Sequence, residues 1–209
     1  MANIIFDFDG TIADTLEIAL KFLEENAKKF QLQTISREDF RSKPLKKTLK
    51  EIGLSNYKLP SYILQLKSYL KKHISNVEVF EGIKETVKQL KFNDHKIFIL
   101  SSNSSENIKL IMDLHGMTEL FEKFICDSSI FGKHILLKRM LKDLHLELHS
   151  TIYVGDELRD LKACQKIGMN IILVSWGWNN LDLLKTAGPK HIANSPEALV
   201  GIINSHFSN

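Results

Sequence analysis

Short apolar runs of β-favouring residues, each followed by turn or polar residues, alternate along this chain with segments of helical period, and that alternation leaves few folds open. The runs are residues 3–8 (Asn-Ile-Ile-Phe-Asp-Phe), Lys96–Leu100, Lys123–Cys126, Thr151–Val154 and Asn170–Val174. Between them, Ile83, Val87 and Leu90 fall on one helical face, as do Leu137, Met140, Leu141 and Leu144. A further segment opens at Ser104 and stops at Gly116, residue types that start and end helices. The pattern predicts an α/β fold, a doubly wound parallel sheet with helices on both faces. The interval between the first and second runs breaks the rhythm. Its apolar residues repeat only at helical spacing: Leu16, Leu20, Leu23, Ala27 and Phe30; Leu45, Leu49 and Ile52, ending at Gly53; Leu59, Ile63, Leu66 and Leu70. Helices that face one another close a small bundle. The expected organisation is an α/β core of residues 1–15 and 80–209, with an all-helical unit of residues 16–79 inserted into it.

Several function classes drop out on composition. No stretch approaches the roughly 18 unbroken apolar residues of a membrane span, and the first residues lack a basic region followed by a long apolar one. Cys126 and Cys164 stand far apart, which reads as two reduced thiols in a cytoplasmic protein rather than a disulfide or a metal pair. A net charge of +3 is too small to imply a nucleic-acid binder. Its distribution says more: residues 16–79 hold 13 Lys and Arg against 7 Asp and Glu, and the remainder 15 against 18. Those lysines either decorate solvated helix faces or attract an anionic substrate.

In a doubly wound sheet, ligands bind beyond the carboxyl ends of the strands at the switch point. The first run ends in Asp7-Phe8-Asp9-Gly10-Thr11 and the fourth in Gly155-Asp156-Glu157-Leu158-Arg159-Asp160. If those two strands are neighbours, several carboxylates converge, and clustered anions call for a cation. Oxygen donors with no Cys or His nearby suit Mg²⁺ rather than Zn²⁺. Asp7 and Asp9 share one side of an extended chain, and a carboxylate nucleophile beside a second carboxyl for proton transfer is one solution to group transfer. A merely solvated Asp-rich turn is the other reading of the same residues. Gly10 allows a tight turn. Ser101, Ser102 and Asn103 can hydrogen-bond phosphate oxygens, and Lys133 can neutralise an anionic intermediate.

Taken together and in order, these segments resemble the haloacid dehalogenase-like superfamily, over nearly the whole chain. Asp7-Phe8-Asp9-Gly10-Thr11-Ile12-Ala13-Asp14-Thr15 is similar to the first motif of its phosphatases, Ser102 to the second, Lys133 to the third, and Gly155-Asp156 through Asp160 to the fourth. The inserted helices resemble the α-helical cap of the phosphoglycolate-phosphatase-like group. The resemblance implies a phosphatase acting on a small phosphorylated metabolite, phosphoglycolate first among them. Asp7 would become the aspartyl phosphate, and Asp9 would protonate the leaving alkoxide and then activate water. Ser102 would bind a phosphate oxygen, and Lys133 would hold Asp7 and the phosphoryl group in register. Mg²⁺ would lie on Asp7, the Asp9 backbone carbonyl and Asp156, supported by Glu157 or Asp160. Gly10, Thr11 and Asn103 would contact substrate from the core.

Specificity is expected in the cap. The segment Phe40–Lys46 reads as a loop between two cap helices, from which Arg41, Lys43 or Lys46 would reach an acidic group on the substrate. Hinges fall near Thr15 and Phe80–Gly82. Trp176-Gly177-Trp178 reads as an aromatic pair packed on neighbouring loops, or as part of the entrance. A β-phosphoglucomutase-like mutase would use the same core residues and differ in the acceptor of the phosphoryl group. A dehalogenase gives no reason to expect Asp9, and a phosphonate hydrolase would need one cap lysine singled out. A non-catalytic protein that binds a polyanion or partner through the basic insertion is the reading from another class; the presence of Asp7, Asp9, Ser102, Lys133, Asp156 and Asp160 together argues against it.

Overall fold

The computed structural model of the protein describes residues 1–126 and 132–207. Among these, six parallel strands form one sheet: β1 (Asn3–Phe6), β2 (Lys96–Ser101), β3 (Lys123–Cys126), β4 (Thr151–Gly155), β5 (Asn170–Val174) and β6 (His191–Ala193). Their order is β3-β2-β1-β4-β5-β6. The chain winds outward from β1 to β3, returns to the other edge of β1, and winds outward again to β6. That reversal sets the carboxyl ends of β1 and β4 side by side. Phe6 lies opposite Val154, and the Asp7 N–H donates to the Val154 carbonyl at 2.8 Å. This is the switch point where such sheets open a crevice.

The insertion between β1 and β2 is helical: α1 (Leu16–Phe30), α2 (Arg37–Arg41), α3 (Leu45–Glu51) and α4 (Leu59–Lys72). Six of its buried apolar residues, Phe22, Leu23, Phe30, Ile52, Leu54 and Tyr62, form a cluster of their own, while Ile18 and Leu70 pack with the core on the sheet. Tyr62 meets Phe22 and Phe30 edge-on, with ring centroids 5.0 and 5.3 Å away, the arrangement that aromatic quadrupoles favour. The two strands of chain that join insertion to sheet run side by side. Ala13 bridges Val79, the Asp14 N–H donates to Glu78, and the Phe80 N–H donates to Ile12.

Side chains alternate across the sheet. Ile4 and Phe6 face α5 (Ile83–Phe92), α6 (Ser105–Leu114) and α10 (Pro196–Phe207), packing with Val87, Ile111 and Ile203. Ile5 faces the other way, onto Leu137 of α7 (Lys133–Asp143), Leu161 of α8 (Leu158–Gln165) and Leu184 of α9 (Leu181–Lys185). Among the described residues no helix is long and apolar enough to cross a membrane.

Three local expectations change. The first strand stops at Phe6 rather than Phe8, because the N–H groups of Ile12 and Ala13 both donate to the Phe8 carbonyl, at 2.9 and 3.0 Å, and curl the chain there. The stretch read as a loop over Phe40–Lys46 is shorter, since α2 runs to Arg41 and α3 begins at Leu45. Ser36 caps α2 by accepting from the Asp39 N–H at 3.0 Å, a Ser-x-x-acid start signal that the periodicity argument passes over. Finally, β6 adds a sixth strand of three residues, too few to show a pattern.

Candidate active site

The crevice is built from strand ends. Asp7, the residue after β1, is buried; its Oδ1 accepts from the Phe8 N–H at 2.9 Å and its Oδ2 from Lys133 Nζ at 2.6 Å. Lys133 opens α7 behind Gly132, and its ammonium also reaches Asp160 Oδ1 at 2.5 Å. Asp160 stands in the first turn of α8, where its Oδ2 accepts from the Glu157 N–H at 3.1 Å in a capping box. Burial works against the Lys133 ammonium, but Asp160 and Asp7 together outweigh it and hold its pKa above the ordinary lysine value.

Asp9 lies two residues on, partly buried, and collects three donors. Thr15 Oγ1 and Asn103 Nδ2 donate to its Oδ1 at 2.9 and 3.0 Å, and Ser101 Oγ donates to Oδ2 at 3.2 Å. Burial still raises its pKa above the usual carboxylate range, against the pull of those three bonds. Ser101 ends β2, so the neighbouring strand supplies part of this cradle. Ser102 and Asn103 follow it, and both line the same cavity as Asp9. Ser104 caps α6 by accepting from Asn107 at 3.2 Å.

Asp156, just after β4, is fully buried. Thr11 Oγ1 donates to its Oδ1 at 3.0 Å and the Trp178 N–H to its Oδ2 at 2.6 Å. Gly10 is left-handed at φ 80°, and a Cβ there would run into the Asp156 carboxylate and the Trp178 ring. A Cβ on Gly177 would meet the Gly10 carbonyl oxygen and Asp156. The Trp-Gly-Trp segment therefore does more than pack: its backbone orients Asp156. Sequence reasoning passes over that contact and the Ser101 and Thr15 bonds to Asp9, because a backbone donor or a cradle hydroxyl leaves no residue pattern. Gly177→Ala is expected to destabilise the fold by about 1–3 kcal/mol through overpacking. Melting temperature should fall by about 2–4 °C per kcal/mol at this chain length. An unchanged melting temperature would mean that the backbone does not approach Asp156 this closely.

Asp7, Asp156 and Asp160 each bring one carboxylate oxygen within 4.8 Å of the others, and all three are buried. Glu157 is not in that group; its Oε1 is held by Arg159 Nε at 2.7 Å and Nη2 at 2.6 Å. Fully ionised, the four buried carboxylates Asp7, Asp156, Glu157 and Asp160 would carry two more charges than the cations Lys133 and Arg159 beside them. Burial, then the neighbouring carboxylates, pushes Asp156 well above the ordinary range. Burial also raises Asp7, in spite of Lys133. A divalent cation would balance such a set, and donors that are all oxygen fit a hard ion of the Mg²⁺ type.

Of the basic residues of the insertion, Arg41 and Lys43 bond groups outside the carboxylate cluster. Arg41 donates through Nε to the Gly177 carbonyl at 2.7 Å and through Nη2 to the Ser175 carbonyl at 2.9 Å. Lys43 pairs with Glu51 at 2.7 Å. Lys67 on α4, which charge counting did not single out, lines the cavity beside Asp9, Ser102 and Asn103.

Residues 4–174 match the family model described as haloacid dehalogenase-like hydrolase. A phosphoglycolate phosphatase from Synechococcus elongatus is 28% identical over 203 residues, covering 96% of each chain. Pyrophosphatase PpaX from Bacillus mycoides is 23% identical over 211 residues, covering 97% of this chain and 96% of that protein. The crystal structure of a predicted phosphatase from Clostridium acetobutylicum shares the fold, with a TM-score of 0.84 over 98% of both chains at 22% identity.

Proposed function

The chain belongs to the haloacid dehalogenase-like hydrolase family, and on that premise we propose that it is a Mg²⁺-dependent phosphatase that hydrolyses a small phosphomonoester through a phospho-aspartyl intermediate on Asp7. The observation that carries the reading is the pair at the end of β1: Asp7, pinned by Lys133, and two residues on Asp9, cradled by three donors and facing the cavity. An Asp7 oxygen attacks phosphorus, the bond to the ester oxygen breaks, and Asp9 gives that oxygen its proton. Asp9, now ionised, takes a proton from water, whose oxygen displaces Asp7 and releases phosphate. Oδ2 is the Asp9 oxygen with room to carry the proton, since Oδ1 already accepts two bonds.

Lys133 holds the Asp7 carboxylate in one orientation and offsets charge on the phosphoryl oxygens. Ser102 and Asn103 bind those oxygens, with Gly10 and Thr11 keeping the backbone close. Asp7, Asp156 and Asp160, with the Asp9 carbonyl, would hold Mg²⁺, which supplies charge neutralisation at the transferring phosphoryl group. Residues 16–79 serve as a cap on a core of residues 1–15 and 80–209, hinged near Thr15 and Phe80–Gly82. The two free cysteines suit a reducing, cytoplasmic compartment.

Phosphate release from a panel of phosphomonoesters and the anhydride pyrophosphate, with and without Mg²⁺, tests the reading. Phosphoglycolate and pyrophosphate belong in the panel because relatives of this chain are named for them. Mg²⁺-dependent release is expected; no release from any member, with or without a phosphorylated sugar activator, would overturn the phosphatase reading. Binding has a separate signature. Mg²⁺ at about 100 times its Kd should stabilise the fold by about 2.7 kcal/mol, or about 5–10 °C for a chain this long. Asp156→Asn should remove most of that shift, and an equal shift in the variant would take Asp156 out of the metal site.

A further inference from the structure

We propose that the group leaving with the ester oxygen is apolar, an alkyl or aryl chain seated in the cavity between the insertion and the sheet; this rests on the phosphatase reading above. The cavity, about 110 Å³, runs from Asp9, Ser102 and Asn103 up into the insertion. Beyond those residues its walls are Ile18, Leu23, Phe40, Leu49, Tyr62 and Leu66. A carboxylate or second phosphate placed against these six side chains would lose its water to groups that carry no charge. A hydrocarbon chain would leave water for a surface of its own kind.

The charge placement agrees. Arg41 is bonded to the Ser175 and Gly177 carbonyls and Lys43 to Glu51, as described above. Lys58 donates to the Phe30 carbonyl at 2.8 Å, and Lys71 pairs with Glu106 at 2.6 Å. Two cations, Arg159 and Lys67, are among the lining residues, and each belongs to a segment held at the phosphoryl end of the cavity. Arg159 stands beside Glu157 and Asp160 on the core. Lys67 is anchored there through its carbonyl, which accepts from Asn107 Nδ2 at 3.0 Å; the same amide donates to Asn103 Oδ1 at 3.2 Å. Burial raises the Tyr62 phenol pKa, so its hydroxyl stays neutral and adds no charge to the far end.

The test is a series of n-alkyl phosphates from methyl to hexyl, assayed beside phosphoglycolate and pyrophosphate. In parallel, calorimetry measures binding of the matching non-hydrolysable n-alkylphosphonates. Both kcat/KM and affinity are expected to rise about twofold to fourfold per methylene until the cavity fills. Ala19→Leu, which narrows the cavity, should flatten the series at its long end. A flat or falling series with phosphoglycolate preferred overturns the apolar assignment and leaves the phosphatase reading intact, whereas a preference for pyrophosphate over every ester overturns both. No turnover of any ester with affinity still rising overturns the phosphatase reading and supports the apolar subsite. No turnover with flat affinity overturns both.

Discussion

Asp7→Asn is expected to lower phosphate release by on the order of 10⁴-fold or more, because an amide cannot accept the phosphoryl group and the remaining residues only position it. The loss should not come from unfolding. Burial raises the Asp7 pKa from the ordinary carboxylate range to about 7, so the native state holds a proton that the unfolded chain releases. A raised native pKa contributes stability that is fully present at low pH and is lost as pH climbs toward 7. In the metal-free protein, asparagine removes that loss. The melting temperature of Asp7→Asn should therefore gain on wild type as pH rises from about 4 to about 8. Activity within tenfold of wild type would remove Asp7 as nucleophile. A variant that melts far below wild type at pH 8 would show that the pairing of Asp7 with Lys133 outweighs its desolvation.

Asp9→Asn should lower kcat on alkyl esters by about 10²–10⁴-fold, the usual contribution of a positioned general acid and base. Asparagine keeps an acceptor for the Thr15 hydroxyl, so the local fold should survive. The effect should depend on the leaving group. An aryl phosphate departs without a proton, so its first step should be spared, while attack by water still lacks a base. A burst of aryl alcohol followed by slow turnover is the expected time course. Equal slowing of alkyl and aryl esters, with no burst, would count against proton transfer by Asp9.

Much of this candidate site's geometry was legible in the residues because parallel sheets open their crevice at strand ends. Asp7, Asp9 and Asp156 could be named once two apolar runs ended in carboxylates, and β1 and β4 do lie side by side. Lys133 and Asp160 are brought to the same point by the starts of α7 and α8. The insertion was legible as helices but not as a surface. The surplus of lysine and arginine over residues 16–79 says how much charge the insertion carries, not where it points. Arg41 turns onto loop carbonyls and Lys43 onto Glu51, whereas Lys67, one lysine among many in sequence, lines the cavity. Two further omissions have ordinary causes: β6 is shorter than any periodicity window, and Trp178 orients Asp156 through a backbone N–H that every residue but proline possesses.

The central claim, a covalent phosphoryl group on Asp7, is tested most directly by trapping it. Asp9→Asn incubated with Mg²⁺ and an aryl phosphate, quenched in acid and digested, should yield one phosphorylated peptide. That peptide should contain Asp7, lose its phosphoryl group to hydroxylamine as an acyl phosphate does, and be absent when Asp7 is also replaced by asparagine. Phosphoryl transfer to a different residue, or turnover of the ester by the Asp7→Asn protein, would contradict the account.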